Sequence, residues 1–266
     1  MNLMTMKPSR LPDLKDCYFY HTLNVPGQGL IKGDWDLRGN IDAYLGHVDF
    51  KGKKVLDVGT ASGYLAFHME QQGADVIGYD LDKNFPMDIA PSRYGYQRHS
   101  SDHVKYIAAV NNGFWFSHAG LGSKAAMRYG TVYDIPADIG AVDISVFGSI
   151  LLHLRDPFLA LKNAIRLTKD KCIVVEPIWQ PRQRWIMDMV SRFIGPYQIF
   201  APDYASKNAQ ATWWLLTPAI VKRYLAALGF EKSEVTYHEQ LFRGKKNPLF
   251  TVVAERTQPQ EDWGLG

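Results

Sequence analysis

The chain has 266 residues, of which 46% are hydrophobic and 21% charged, and this is the composition of an ordinary globular protein with one substantial core. The net charge of +3 is too small to indicate a nucleic-acid partner, and no run approaches the roughly 18 apolar residues that a membrane span needs. Residues 1–10 lack the apolar stretch of a secretion signal and two cysteines do not make a disulfide framework, so we expect a cytoplasmic protein.

The first 50 residues are predicted to form an N-terminal segment that covers the functional site. They are rich in Pro, Gly and aromatic residues, and the densest cluster is Tyr-Phe-Tyr-His-Thr-Leu at 18–23. This composition fits a structural flap over hydrophobic surface, and it also fits direct contact with a ligand. A helix-like segment at 41–48 leads into the main domain, which we place at 51–256, with a tail at 257–266.

Residues 54–67 predict a buried strand, a tight turn and the start of a helix. An apolar run at 55–58 is interrupted only by Asp57, and the turn at 59–63 has little room for large side chains. The helical stretch after it continues to Gly73. A helix that starts at the carboxyl end of a parallel strand points unpaired amides and a positive dipole at its ligand, which suits a nucleotide-like molecule.

A second predicted strand supplies an acid to the same edge of the sheet. The apolar run at 76–79 ends at Asp80, 17 residues after Gly63, where a carboxylate meets a ribose diol. The turn reads Gly-Thr-Ala-Ser-Gly and lacks the third glycine of the dinucleotide fingerprint, while Asp57 stands inside the first strand. These features favour S-adenosylmethionine over NAD. The stretch from Asp57 to Asp80 resembles the class I methyltransferases, with 57–63 as their first motif and Asp80 as their ribose-binding acid.

An irregular polar segment separates Asp80 from the next helix, which is predicted over 104–119. Within it, His99 and His103 stand four residues apart, as two metal ligands on a helix do. No third ligand with suitable local spacing accompanies them. We therefore predict an exposed polar helix face and no metal site.

Two later segments complete the predicted cofactor site. Residues 128–136 parallel the run that many methyltransferases place beneath the adenine, but Thr131 takes the place of the usual acid. A hydrogen bond with the adenine amino group would then come from the backbone, from the Thr131 hydroxyl or from Asp134. Residues 141–149 are the predicted fourth strand, and the small residues at its end, up to Ser149, leave room for a substrate.

The segments after the fourth and fifth strands each carry a candidate catalytic residue. His153 is placed either to accept a proton from a hydroxyl at neutral pH or to hold the backbone near the cofactor. Glu176, at the end of the predicted strand 173–176, is a candidate base, a candidate partner for a cationic substrate group, or a loop cap. The sequence leaves these alternatives open.

Taken together, these segments resemble one particular branch of the class I methyltransferases. The cluster at 18–23, the Trp-Asp-Leu-Arg tract at 35–38, the turn and the run at 150–157 are similar to the branch related to tRNA wobble-uridine carboxymethyl and methoxy methyltransferases. Members that use carboxy-S-adenosylmethionine have Tyr directly before the histidine, where this chain has Leu152, so ordinary S-adenosylmethionine is expected. Those tRNA enzymes also carry a long N-terminal extension that this sequence lacks, which favours a small-molecule acceptor over a nucleic acid.

The remaining elements predict the fold class. They are a helix at 158–167, a lid insertion at about 180–215, a helix at 219–228 capped by Thr217 with Pro218 as its first residue, and strands at 230–241 and 248–255. This order implies an α/β, Rossmann-like, doubly wound sheet of seven mostly parallel strands with an antiparallel final strand, plus an N-terminal flap and a helical lid.

The resemblance implies two sets of site residues. S-adenosylmethionine is expected to contact Asp57, Gly59, Thr60, Ala61, Gly63, Asp80, Leu81, Thr131, Val132 and Ser149. The acceptor is expected to contact Tyr20, His21, Trp35, Arg155, Trp179, Trp213 and Trp214. The expected reaction moves a methyl group to an oxygen or nitrogen of a small molecule. The alternatives are a tRNA or nucleoside methyltransferase, a nicotinamide-dependent oxidoreductase on the same sheet, and a non-catalytic S-adenosylmethionine-binding subunit; nothing in the sequence indicates an oligomeric state.

Overall fold

A computed structural model describes residues 7–94, 101–179, 184–208 and 210–259. Within them, the strands are β1 (Leu23–Val25), β2 (Gly29–Ile31), β3 (Trp35–Asp36), β4 (Lys54–Val58), β5 (Asp75–Asp80), β6 (Ala126–Tyr129), β7 (Val142–Gly148), β8 (Thr168–Pro177), β9 (Gln198–Phe200), β10 (Trp214–Leu216), β11 (Lys232–Phe242) and β12 (Lys245–Glu255). The helices are α1 (Ile41–Tyr44), α2 (Tyr64–Gln71), α3 (Ser101–Leu121), α4 (Pro157–Ile165), α5 (Arg184–Ile194) and α6 (Pro218–Ala227). Short 3₁₀ turns occupy Leu14–Asp16, Ala137–Ile139 and Leu151–His153.

The fold is built on one large sheet, which has eight strands within the described residues, in the order β3-β11-β12-β8-β7-β4-β5-β6. The five strands from β8 to β6 in this order are parallel neighbours, and β12 runs antiparallel to both β8 and β11. The predicted doubly wound, mostly parallel sheet with an antiparallel final strand is confirmed. The eighth strand corrects the expected number of seven, because the two-residue β3 of the N-terminal segment adds to the edge through Phe242↔Trp35 pairing. A strand this short leaves no periodic pattern in the sequence.

The central strands are buried on both faces, as their continuous apolar runs predict. On β4, Leu56 and Val58 are in one apolar cluster with Phe147, while Val55 is in a second cluster with Ile173. Successive side chains of a strand point to opposite faces, so the two clusters lie on the two sides of the sheet. Polar groups of these strands are therefore concentrated near the strand ends, where a ligand can reach them.

The N-terminal segment lies over the turn that follows β4. Tyr18 N donates to Ala109 O of α3 at 2.8 Å, and Tyr20 N donates to Ser62 Oγ of the turn at 3.0 Å. The approach to α3 is so close that a Cβ on Gly113 would lie 2.4 Å from Tyr18 O. A glycine at this position of α3 therefore lets the segment reach the site.

The helix expected at 41–48 is shorter than predicted. It ends at Tyr44, and the two positions Gly46 and His47 have positive φ angles of 65° and 56°. A right-handed helix cannot continue through such residues, which is the physical reason for the difference.

The insertion between β8 and α6 contains α5 and the antiparallel hairpin of β9 and β10. Residues 180–183 and 209 of the predicted lid lie outside the described part of the chain. The start of α6 is as predicted: Thr217 is the N-cap, its Oγ1 accepts from Ile220 N at 3.3 Å, and Pro218 is the first helical residue. The residue before β9 is bonded to this cap, since Thr217 Oγ1 donates to Tyr197 O at 2.8 Å.

No helix among the described residues is long and apolar enough to cross a membrane. His99 of the histidine pair lies outside them, and they contain no group of three or more His, Cys, Asp or Glu side chains arranged to hold a metal ion.

Candidate active site

The turn between β4 and α2 has a backbone that ordinary side chains rarely adopt. Gly59, Ala61 and Gly63 have φ angles of 77°, 49° and 90°. A Cβ on Gly59 would lie 2.4 Å from the Ile150 side chain, and one on Gly63 would lie 2.5 Å from the Phe67 ring. Both glycines are thus required for the turn to pass close to its neighbours. Gly63 gives no side-chain cap to α2, so the amides of the first helical turn lack that partner.

Asp57 is fully buried beneath this turn. Its Oδ2 accepts a hydrogen bond from Thr60 Oγ1 at 2.6 Å, whereas its Oδ1 has no partner. Burial raises the pKa of Asp57 to about 7, and the bond from Thr60 only partly opposes this rise. The turn therefore has an unsatisfied acceptor directly below it.

Asp80, at the end of β5, is bonded to the same turn. Its Oδ2 accepts from Ala61 N at 2.6 Å and its Oδ1 accepts from Leu81 N at 2.7 Å. Burial raises the pKa of Asp80 to about 6, so the carboxyl is mostly ionised at neutral pH. Leu81 O in turn accepts from Asn111 Nδ2 of α3 at 3.1 Å, which fixes the start of the following loop.

Thr131 and Val132 follow β6 at the neighbouring strand end. The Thr131 carbonyl accepts from Tyr79 Oη at 3.0 Å, and its hydroxyl accepts from Tyr133 N at 3.3 Å. Val132 is 8% exposed, and its carbonyl accepts from Asn163 Nδ2 at 3.1 Å. The loop after β6 is thereby fixed against β5 and α4.

The end of β7 continues into a strained residue and a 3₁₀ turn. Ser149 has a φ of 56°, its amide donates to Val175 O at 2.8 Å, and its Oγ lies 3.4 Å from Tyr44 Oη. The positive φ at a non-glycine residue redirects the chain away from the sheet and into the turn Leu151–His153.

Glu176 supports this turn from the side of the sheet. The residue is 1% exposed, its Oε1 accepts from Leu151 N at 2.8 Å, and its Oε2 is buried without a partner. Burial raises the pKa of Glu176 to about 8. A carboxyl held in this way acts on the turn from beneath it, which corresponds to the capping alternative for this residue.

His153 is held from the opposite side by the lid. Its Nδ1 lies 2.8 Å from the carbonyl oxygen of Ala211. A carbonyl oxygen only accepts, so Nδ1 carries the proton of the neutral ring and Nε2 carries the lone pair. Burial lowers the pKa of His153, which keeps the ring neutral at pH 7. The geometry therefore presents Nε2 as a proton acceptor.

These groups come together because the carboxyl ends of parallel strands share one edge of the sheet. A sequence profile of the methyltransferase domain family matches residues 36–232, which is most of the chain and includes the turn, Asp80 and His153. The chain belongs to the class I S-adenosylmethionine-dependent methyltransferases. This membership decides against the nicotinamide-dependent alternative.

Individual relatives agree on the family and differ in what they act on. Over 204 residues, or 73% of this chain, the methyltransferase is 26% identical to a tRNA U34 carboxymethyltransferase of Pseudomonas savastanoi, of which the match covers 52%. Over 119 residues, or 44% of this chain, it is 29% identical to a ubiquinone biosynthesis O-methyltransferase of Vibrio parahaemolyticus, of which the match covers 40%. The matched region thus spans about half or less of these curated relatives.

A solved structure shows the same fold. A methyltransferase of Methanosarcina mazei, described as S-adenosylmethionine-dependent, is 17% identical, with a TM-score of 0.50 over 80% of this chain and 96% of that one.

The site of the methyltransferase fits S-adenosylmethionine. An uncapped helix start, the orphaned Asp57 Oδ1 and the ionised Asp80 supply donors and acceptors for a ligand that carries positive charge and a ribose. When bound, this cofactor supplies an electrophilic methyl group. The turn, Asp80 and Leu81 are the residues that would hold it, and contacts from Thr131, Val132 and Ser149 stay predictions.

The residues expected to contact the acceptor fall into two groups. His21, Trp35 and Trp213 are 4%, 8% and 9% exposed, and Trp35 packs against Phe242 at 4.8 Å between ring centroids. Burial also lowers the pKa of His21 to about 4. Such buried side chains offer little surface to an acceptor.

The other expected contacts are more accessible. Tyr20 is half-buried beside the turn, Arg155 is exposed with its guanidinium 6.0 Å from the centre of the Tyr133 ring, and Trp179 is 44% exposed after β8. Trp214 Nε1 donates to Arg155 O at 3.1 Å, which joins the lid to the segment after His153. Their contact with an acceptor stays a prediction.

Sequence reasoning missed several residues that organise the site. Tyr44 and Ser62 contact Ser149 and Tyr20 through their hydroxyl groups, and Ala211 accepts through a main-chain carbonyl. Asp88, in the loop after β5, has no pattern that marks it. A main-chain acceptor is the same in every residue, so no amino-acid type in the sequence signals the partner of His153.

Proposed function

We propose that this methyltransferase transfers a methyl group from S-adenosylmethionine to an oxygen or nitrogen of a small molecule, with a hydroxyl oxygen as the favoured acceptor. The observation that supports this is His153: its ring is neutral and its Nδ1 donates to Ala211 O, so Nε2 keeps a lone pair that can accept a proton. A hydroxyl must lose its proton on methylation, so it gains from a base that an already anionic acceptor does not need.

In the proposed reaction, an oxygen lone pair of the acceptor forms the new bond to the methyl carbon as the carbon–sulfur bond breaks. The electron pair of that bond stays on sulfur, and the hydroxyl proton passes to His153 Nε2. The residues of the chain orient the acceptor oxygen next to the methyl carbon and exclude water. When the two reacting atoms are well aligned, this contributes more to the rate than the proton transfer does. Of the expected acceptor contacts, the half-buried Tyr20 and Trp214 are the side chains that we propose orient the acceptor.

A nucleoside in tRNA is the second candidate, and the long match to a tRNA U34 carboxymethyltransferase favours it. The position before His153 argues for ordinary S-adenosylmethionine in either case, since Leu152 has no hydroxyl to bind an extra carboxylate.

The test is to incubate the enzyme with methyl-labelled S-adenosylmethionine and three acceptor pools: hydroxylated aromatic compounds, their amine analogues and bulk tRNA. Labelled hydroxyl compounds are the expected result, and label in tRNA alone would replace this proposal with the second candidate. Carboxy-S-adenosylmethionine in the same assay should compete weakly with the ordinary cofactor.

His153→Ala tests the role of the base. It should lower turnover by about 10² to 10⁴ while the affinity for S-adenosylhomocysteine stays the same. His68→Ala on α2, which removes a partly buried histidine bonded to Gln72, is the control and should keep full activity. If His153 is purely structural, His153→Ala should instead lower the melting temperature and the cofactor affinity together.

A further inference from the structure

Asp88 joins three segments that are distant in sequence. Its Oδ2 accepts from Tyr133 Oη and, at 2.9 Å, from Arg155 N. Its main-chain carbonyl accepts from Trp213 Nε1 at 3.1 Å. One residue of the loop after β5 is therefore bonded to the loop after β6, to the segment after the 3₁₀ turn and to the lid.

The lid segment 210–213 lies between this loop and the 3₁₀ turn. On one side, Ala90 N donates to Gln210 O at 2.8 Å, in addition to the bond from Trp213 to Asp88. On the other side, Trp213 N donates to Leu152 O at 2.8 Å. Since the carbonyl that holds His153 is in the middle of this segment, its position depends on bonds from both sides.

We propose that Asp88 is a positioning residue that fixes the lid segment 210–213, so that Ala211 O selects the tautomer and orientation of His153. The inference rests on the proposed function only in taking His153 as the base. The hydrogen-bond partners of the two ring nitrogens decide which one carries the proton, so displacement of Ala211 O would let the Nε2–H tautomer become populated.

The Asp88 side chain is the anchor of this arrangement, and Trp213 is the link. Without the carboxylate, the loop loses its bonds to Tyr133 and Arg155 N, and the carbonyl that receives the indole is no longer fixed. Asp88→Asn with its amide oxygen in the place of Oδ2 keeps an acceptor for both Tyr133 Oη and Arg155 N. The proposal therefore predicts rescue by the conservative change.

The experiment is NMR of the full chain labelled with ¹⁵N-histidine, with His153 assigned by its loss in a His153→Gln variant. The wild-type ring should show the Nδ1–H tautomer at pH 7. Asp88→Ala and Trp213→Phe should each lower the ratio of Nδ1–H to Nε2–H by about tenfold, as the loss of a hydrogen bond to the segment allows. Asp88→Asn should stay close to wild type.

Tyr224→Phe is the matched control, because it removes a hydrogen bond to Gln198 in the same lid that leads away from His153. It should leave the tautomer unchanged, and all variants should bind S-adenosylhomocysteine within twofold of wild type. An unchanged Nδ1–H signal in either folded variant, Asp88→Ala or Trp213→Phe, would overturn the proposal. If Asp88→Ala does not fold, Trp213→Phe alone decides, since the phenyl ring keeps most of the packing. The readout needs no acceptor, so failure to methylate hydroxyl compounds would affect the proposed function and leave this result standing.

Discussion

Asp80→Asn removes the charge of the carboxylate and keeps an acceptor for only one of the two backbone amides that it bonds, so it tests the charged contact to the cofactor together with the fixing of the turn. The carboxylate already accepts from Ala61 N and Leu81 N at 2.6 and 2.7 Å, so it is oriented before any ligand arrives. A charged hydrogen bond to a ribose hydroxyl contributes about 1.5 to 3 kcal/mol, so Asp80→Asn should weaken S-adenosylhomocysteine binding by roughly 10- to 150-fold. Isothermal titration calorimetry at pH 7.5 measures this directly.

The pH dependence gives an independent check on the same residue. The pKa of Asp80 is raised to about 6, and the protonated carboxyl accepts less strongly, so wild-type affinity should fall as the pH drops through 6. The asparagine variant should lack this part of the fall. Asp57, whose pKa is raised to about 7, titrates in both proteins, and its pKa is lower in the variant because the charge of Asp80 contributes to the rise; the fall in affinity that remains in the variant is the part due to Asp57.

Asp82→Asn is the matched control for this experiment. Asp82 is two residues away, and its carboxylate accepts from the backbone and side-chain amides of Asn84 alone among the bonds described. Its replacement should leave both affinity and pH profile unchanged. A folded Asp80→Asn protein with wild-type affinity and pH profile would remove Asp80 from the cofactor site.

The remaining predictions concern stability. Because burial raises the pKa of Glu176 to about 8, its contribution to the free energy of unfolding is largest at low pH and is lost as the pH rises through 8. Glu176→Gln keeps an acceptor for Leu151 N, so its stability relative to wild type should increase between pH 5 and 9 in urea titrations. A difference in stability that becomes smaller as the pH rises would contradict this. Gly63→Ala should destabilise the protein by about 1 to 3 kcal/mol and weaken S-adenosylhomocysteine binding, because the φ of Gly63 is 90° and the added Cβ meets the Phe67 ring. Gly122→Ala is the control, since Gly122 has a φ of 63° and no atom within 4 Å of the added Cβ. It should show the backbone strain without the loss of binding.

Much of the cofactor site could be predicted because its requirements are local. The turn needs glycine where φ is positive, the strand needs an apolar run, and Asp80 must end the next strand, so each feature leaves its own mark within a few residues. The cap of α6 by Thr217 is of the same kind, since its hydroxyl bonds an amide three residues away.

The arrangement of His153 and Glu176 depends on contacts that no local sequence pattern indicates. His153 takes its tautomer from the carbonyl of Ala211, 58 residues away, and Glu176 meets the amide of Leu151, 25 residues away. Main-chain partners have no residue type, so the sequence marks His153 and Glu176 as polar groups near the site but leaves their roles open. Strand β3 likewise depends on pairing with β11, whose partner residues come 205 and 207 positions later in the chain. The sequence by itself thus determined the sheet, the turn and the acid at the end of β5, whereas only tertiary packing decided which groups hold His153 and which carboxyl supports the turn after β7 from a buried position.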